Sequence, residues 1–431
     1  MASGYKSTSN TSPTASSSTS RSATMEKRFV LCGEATFLHH PLLLALTIAF
    51  GFVVMDPFNL GPLGGHDFRP VKHDIAPYKQ VMANWPRDNL SRLGRGKLEF
   101  EDEIFGPESL EFDAHGRGPY AGLADGRIVR WMGIDIGWET FATVTETWSE
   151  KICARGVDST TPKQWKHEKL CGRPLGLRFD QTSGNLYIAD AYFGLLVVGP
   201  KGGLATHLAP VAKSEPILFA NDLDIHSNGS VFFTDSSKRY DRVNHFFILL
   251  EGESTGRLLR YDPPTKETHV VLEGLAFPNG VQFSKDERFL LFTETTNCRV
   301  MKLWMEGEKA GKVELHANLP GFPDNVRRND RGQFWIAIDC CRTRAQDVLS
   351  RNPWMRNTYF RLPFKMSFLA RIMGMKMYTV VWLLNEEGDL LEVLEDPHGA
   401  VMKLVSEVRE ANGKLWIGTV AHNHIATLDY P

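Results

Sequence analysis

The sequence predicts an all-β fold, a six-bladed β-propeller, preceded by an N-terminal membrane anchor. Three observations carry that reading. A unit of short strand, polar turn and second apolar-aromatic strand begins at each of Gly106, Gly172, Phe219, Phe277, Gly321 and Val405. Repeats of this size built from short strands close radially into a propeller, which leaves few sheet edges exposed. Two stacked sandwiches would not repeat one signature in this way. Three of the units also open alike, with "FANDLDI" from Phe219, "FPNGVQF" from Phe277 and "GFPDNVRRN" from Gly321. Ahead of them lies a single run of 19 residues, Phe37–Met55, without Lys, Arg, Asp or Glu. That is about the length that crosses a bilayer.

Taken in order, residues 1–36 are expected to be a disordered cytosolic N-terminus, because the first 24 are rich in Ser and Thr and contain no acid. An organelle transit peptide has the same composition and is the alternative. Lys27 and Arg28 precede the apolar run, which puts the N-terminus in the cytosol and the rest in the lumen. No small-x-small cleavage site follows convincingly, so residues 37–55 read as a retained signal-anchor of the endoplasmic reticulum and secretory pathway. Cleavage would instead give a secreted or vacuolar protein. Residues 56–96 are Pro- and Gly-rich and read as a linker, and residues 97–431 as the propeller. With 49 basic and 51 acidic residues, nothing global suggests nucleic acid as a partner.

The cysteines and sequons suit an oxidising compartment. Cys153 and Cys171 bracket a polar loop, and a bridge between them would close 17 intervening residues. On the loop-entropy account it would stabilise the fold by roughly 3 kcal/mol. Two free buried thiols are the other possibility. Cys340 and Cys341 are expected to stay unpaired with each other, since adjacent residues are poorly placed for a normal bridge. Asn89 and Asn228 each head an Asn-x-Ser sequon in the lumenal part and are candidate glycosylation sites.

In a propeller the first strand of each blade lines the central axis, so the residues that begin these strands meet at one end of the channel. By register those positions are Glu108, Leu175 or Gly176, Asn221, Asn279, Asp324 with Asn325, and Ser406. Glu108, Asn221, Asn279, Asp324 and Asn325 bring two carboxylates and three amides, an all-oxygen donor set suited to a hard divalent cation such as calcium. Asn and Asp also form turns and cap strands for their own reasons, and that reading stays open for each residue taken singly.

From about Leu98 to the C-terminus the chain resembles the plant strictosidine-synthase-like family. The segments "FANDLDI", "CGRPLG", "FPNGV", "GFPDNVRRN" and "LWIGT" carry the resemblance. It implies a six-bladed propeller related to calcium-dependent paraoxonases and gluconolactonases. It also implies a catalytic calcium on Glu108, Asn221, Asn279, Asp324 and Asn325, and a Cys153–Cys171 disulfide. The branch it resembles most contains anther-expressed proteins of male fertility and pollen-wall formation.

Departures from the pattern shape the functional expectation. Aligned on "LWIGT", the glutamate that serves strictosidine synthases as base falls on Ser406, and a nearby family histidine falls on Leu404. Glu407 is adjacent, but strict alternation would point it to the opposite face. The water-activating histidine of paraoxonases is also missing, since "YIADAY" offers Asp190 and Tyr192. If second strands return to the metal end, the loops after Asp190, Asp235, Glu294 and Asp339 cover the site. These loops supply Tyr240 and His245, which join Asp190 as candidate catalytic groups. They also supply Arg351–Lys376, six basic residues among Trp, Phe, Leu and Met, expected to lie on an anionic membrane or to form an apolar lid. A solvated arm is the alternative. Three functions stay open: a calcium-dependent hydrolase of an ester or lactone, a strictosidine-type condensing synthase, and a non-catalytic, calcium-stabilised module that binds an apolar or phenolic small molecule.

Overall fold

The computed structural model describes residues 31–83, 85–154, 167–376 and 378–430. The chain divides into two compact units, Met1–Phe58 and Asn59–Pro431. In the first, a helix runs Leu31–Met55 and has Pro41 inside it. It begins six residues before the expected Phe37, and the disorder expected for residues 1–30 lies outside the described residues. Its side chains from Leu42 onward are largely apolar and exposed. Among the described residues no helix is long and apolar enough to cross a membrane, and part of the expected span falls outside the side chains described.

The second unit is a ring of six antiparallel sheets, which we number I to VI in chain order. The inner strands are Leu110–Glu111, Pro174–Phe179, Ala220–Ile225, Pro278–Phe283, Phe322–Arg328 and Val405–Ala411. They are buried almost throughout and pack side by side around the axis. Apolar alternation on the outer strands fills the wedges between blades. Phe232, Leu258, Phe283 and Leu290 do this between blades III and IV, and Trp335, Val381, Val408 and Leu415 between V and VI. Closure is made by Lys97–Glu99, which pairs antiparallel with Ile425–Asp429 as the outermost strand of blade VI. An N-terminal strand thus completes a C-terminal sheet, and the ring has no open seam.

Five of the six inner strands, all but Leu110–Glu111, share one irregularity. Their pairing with the second strand shifts between Pro174 and Gly176, Ala220 and Leu223, Pro278 and Val281, Pro323 and Val326, and Val405 and Glu407. Each shift is a bulge that re-aims the side chains it contains. Those side chains are Leu175, Asn221 with Asp222, Asn279 with Gly280, Asp324 with Asn325, and Ser406.

Two expectations about the surroundings need correction. Residues 59–96 are not a free linker: Leu63, Phe68, Ile75, Val81 and Leu93 are buried. The segment is strapped to the propeller by Val71 N–H and Arg69 N–H, which donate to Glu251, and by His73 N–H, which donates to Ser350 O. Its Pro and Gly residues shape a path over a surface. The second correction concerns Cys340 and Cys341, which are bonded to each other across a cis peptide. The expectation of free neighbours rested on span, since their Cα atoms lie 3.0 Å apart against the roughly 4.4–6.8 Å of an ordinary bridge. The Cys153–Cys171 bridge is present as expected, with Cα atoms 5.7 Å apart. The loop interior, 155–166, lies outside the described residues.

Candidate functional site

Bulges and small residues bring the candidate ligands together. Gly280 follows Asn279 because a Cβ there would lie 2.6 Å from Asn325 Cα and 2.5 Å from Val326 N. Gly176 in blade II has the same relation to Asp222, at 2.7 Å from its Cα. In blades III and IV, hydroxyls at the end of the second strand then hold the start of the next inner strand. Thr234 Oγ1 donates to Asn279 O at 2.7 Å and Ser236 Oγ to Pro278 O at 2.8 Å. Thr293 and Thr295 do the same for Asp324 O and Pro323 O, at 2.9 and 2.7 Å.

Four of the five candidate ligands contact one another directly. Asn325 Nδ2 donates to Glu108 Oε1 at 2.9 Å, and the Asn279 side chain hydrogen-bonds the Asp324 carboxylate. Asn221 Nδ2 donates to Ser236 Oγ at 3.0 Å, and that hydroxyl in turn holds the strand of Asn279. The amide N–H groups are thus spent sideways. Glu108 Oε2, Asn279 Oδ1 and Asn325 Oδ1 are left buried without a hydrogen-bond partner. Oxygens in that state are costly unless a cation faces them. Burial raises the pKa of Glu108 well above the carboxylate range, and the charges of Asp324, Glu407 and Asp222 push the same way. Asp324 is raised by burial and by Asp339. It alone of the five keeps partly accessible surface. Two carboxylates that resist ionising together, among oriented amide oxygens, fit a hard divalent cation. Among the described residues no three His, Cys, Asp or Glu side chains form a metal cluster, so the amides are essential to the set.

Next to these ligands lies a buried ion network that sequence reasoning missed. Arg327 of blade V donates to both Asp222 oxygens, at 2.6 and 2.8 Å, and lies 2.5 Å from Glu407 of blade VI. Glu407 also accepts from Leu110 N and Ser109 Oγ of blade I. It therefore does not face away, as alternation predicted: the bulge at Val405–Glu407 breaks the alternation. Burial pushes Glu407 up, but Arg327, Arg409 and Arg178 together hold it below the usual glutamate value. Ser406 Oγ donates to Glu108 O at 2.6 Å.

The candidate catalytic groups separate in character. Asp190 accepts from the backbone N–H of Arg173, Tyr192 and Phe193, which makes it a structural clasp. Against those bonds, burial still pushes its pKa up to about 6. Asp235 and Glu294 clasp Phe219 N and Ala276 N at the equivalent places. Asp339, fourth in that series, instead accepts from Val405 N of the next blade and leaves Oδ1 buried and unpartnered, and burial pushes its pKa up to about 8. Register comparison was the signal for it: Pro174, Ala220, Pro278 and Phe322 pair with Asp190, Asp235, Glu294 and Asp339. Tyr240 OH is engaged by His66 Nε2 at 3.0 Å. His245 has its pKa pushed down to about 4 by burial and Arg242. Its Nδ1 lies 2.8 Å from Arg242 O, which can only accept, so the proton sits on Nδ1 and Nε2 carries the lone pair.

Apolar side chains wall this end of the channel. Leu175, Ala191, Phe219, Tyr240, Ile248 and Phe277 form one cluster. Phe219 and Phe277 stand two residues before Asn221 and Asn279. Phe247 joins this wall to a cap built from Arg344–Arg351, Pro353–Phe360 and Met366–Ile372. The helix His245–Glu251 and the cap follow the second strands of blades III and V, where loops covering the site were expected. The inner face of Arg351–Lys376, expected as a lid or a membrane-lying segment, packs Phe360, Leu369 and Met373 with Leu63 and Phe68.

Fold and site together define a six-bladed propeller with a cluster of buried oxygens beside an apolar wall where the blades begin. Family models agree: residues 92–131 match the N-terminal model of the strictosidine synthase-like group, and residues 221–308 match strictosidine synthase. The chain belongs to the strictosidine synthase-like family. It is 70% identical to protein strictosidine synthase-like 13 of Arabidopsis thaliana, over 92% of this chain and 96% of that one. It is also 36% identical to an adipocyte plasma membrane-associated protein of Salmo salar, over 78% of this chain and 79% of that one. Among solved structures, a gluconolactonase of Xanthomonas campestris superposes with a TM-score of 0.52 at 16% identity, covering 84% of this chain and 97% of that one. A calcium-binding protein, regucalcin, of Agrobacterium tumefaciens superposes at 0.50 and 14%, covering 78% and 93%. At those identities the likeness shows the fold alone.

Proposed function

We propose that this protein is a calcium-dependent hydrolase of an apolar or phenolic ester or lactone. The observation that carries the reading is the set of three buried, unpartnered oxygens on Glu108, Asn279 and Asn325. Glu108, Asn221, Asn279, Asp324 and Asn325 would hold the cation. When bound, it supplies Lewis acidity toward a carbonyl oxygen and charge to stabilise the developing oxyanion. The wall of Leu175, Phe219, Phe277 and Ile248 receives the apolar part of the substrate and excludes bulk water. The lone pair on His245 Nε2 is placed to take a proton from water, and Asp339, whose pKa burial pushes up to about 8, can do so once ionised. Condensation of the strictosidine type is disfavoured, because Ser406 stands in the base position and Glu407 is neutralised by arginines.

The gluconolactonase name of one structural neighbour and the calcium-binding description of another support this reading. A second reading, a calcium-stabilised binding module without turnover, draws on the clasping of Asp190 and the engagement of Tyr240. We further propose membrane attachment through Phe37–Met55 with the propeller in the secretory lumen. Asn89 and Asn228 are exposed there for glycosylation.

Aryl-ester and lactone hydrolysis by the purified chain, with and without a calcium chelator, tests the assignment. Loss of hydrolysis with chelator, its recovery with calcium, and loss of both calcium response and turnover in Asn279→Ala are expected. A calcium-driven rise in melting temperature without hydrolysis would leave the binding module. A chain whose melting temperature ignores calcium would overturn both.

A further inference from the structure

The cap has a second face. Its inner side packs Leu369, Met373 and Phe360 over the propeller, and the same short helices present large apolar residues to solvent. Trp354 is 70% exposed, Phe364 44%, Phe368 48% and Ile372 60%. The Phe364 and Phe368 rings touch, with centroids 5.1 Å apart, and Ile372 follows one helical turn later. The exposed cations Lys365, Arg371 and Lys376 flank this row. None of the three makes an ion pair among the described residues. There is no acid anywhere between Asp347 and Glu386. Of the cap's other arginines, Arg356 is turned inward and caps the carbonyls of Val71, Ser350 and Glu251, Arg351 pairs with Asp347, and Arg361 donates to Asn357, while Arg344 is exposed. Cations left outside, around a row of aromatic and branched apolar side chains, are the composition of an interfacial membrane surface.

We propose that the outer face of this cap docks onto an anionic lipid leaflet, with Phe364, Phe368 and Ile372 inserted among the acyl chains and Lys365, Arg371 and Lys376 on the headgroups. Charge matching selects this occupant over the others. The Ser/Thr-rich N-terminal segment has no acid in its first 24 residues with which to cover a cationic face. A second copy would bring the same cations against each other. Docking is independent of what the cation site does. It also sets the substrate's route: Phe247 belongs both to the cap core and to the wall beside Asn221 and Asn279, so an apolar molecule leaving the bilayer meets apolar surface as far as the site.

The test uses the full chain reconstituted with vesicles of phosphatidylcholine alone or with added phosphatidylserine. Acetylation rates of Lys365 and Lys376 are read by mass spectrometry against Lys201, an exposed lysine in a turn of blade II. Anionic vesicles should slow both cap lysines at least about fivefold, with Lys201 unchanged, and high salt should release them. Phe364→Ser with Phe368→Ser and Ile372→Ser should abolish the slowing. So should Arg371→Glu, which keeps the test open if the triple variant folds poorly, and either variant should keep the parent melting temperature. Equal slowing by neutral vesicles would overturn the proposal, as would slowing without vesicles at raised protein concentration or no slowing at all.

Discussion

At the scale of single residues, Arg327 joins several blades at once. It is 1% exposed and ties blade III to blade VI from a position on blade V. Removing one partner of a buried charge network leaves the others desolvated and unpaired, at a cost of about 3–5 kcal/mol. Arg327→Ala should therefore lower the denaturant midpoint more than Arg331→Ala at the surface. The pH dependence follows from Glu407. Its folded-state pKa lies below the usual glutamate value, so its contribution to stability is present above that value and is lost as pH falls through the depressed one. In Arg327→Ala that contribution is gone, and the acid unfolding limb should begin at higher pH than in the parent chain. Urea melts across pH 3 to 7 check both expectations; coincident limbs would refute this assignment. Four of the five candidate ligands stood out because Asn, Asn and Asp-Asn recur after Phe and Ala or Pro, and Glu108 was placed only by its position at a blade start. Glu407 and Asp339 were not legible. Glu407 is turned by a bulge that the period-two pattern cannot show, and Asp339 holds the same register position as its clasping counterparts Asp190, Asp235 and Glu294, opposite the first residue of the inner strand.

At the scale of elements, the bulged strand start is the working unit. At Asn279 it combines an amide facing the axis, a small residue, Gly280, where the neighbouring strand passes, and the Thr234 and Ser236 hydroxyls from the preceding blade. Gly280→Ala tests the second of these, because its Cβ would sit within 2.6 Å of backbone atoms at Asn325 and Val326. Backbone cannot rotate away, so a loss of about 1–3 kcal/mol is expected. Because the strand that shifts carries Asp324 and Asn325, the calcium-induced rise in melting temperature should shrink as well. Scanning calorimetry with and without calcium separates the two effects; an unchanged calcium increment would show that the ligands tolerate the shift. Element boundaries of the blades were readable from turn residues and apolar alternation. The 59–96 strap was not, because its buried Leu63, Phe68 and Ile75 are spaced without helical or strand period, and only the surface they meet explains them.

At the scale of the molecule, the ring is fastened by three residues from one end and five from the other. A chain starting after Glu103 lacks Lys97–Glu99 and exposes the edge of Ile425–Asp429. It should aggregate on heating, whereas one starting at Asn59 should stay monodisperse. Light scattering through the thermal transition decides, and equal behaviour would refute closure as the source of stability. Radial architecture was the most legible feature of all, because a repeated signature constrains the whole ring at once. Arg327 has one more consequence at this scale. Its guanidinium joins carboxylates of blades III and VI across the ring, so those blades cannot part there without stripping a charge of its partner. The ring is thus cross-braced from within as well as fastened at its rim.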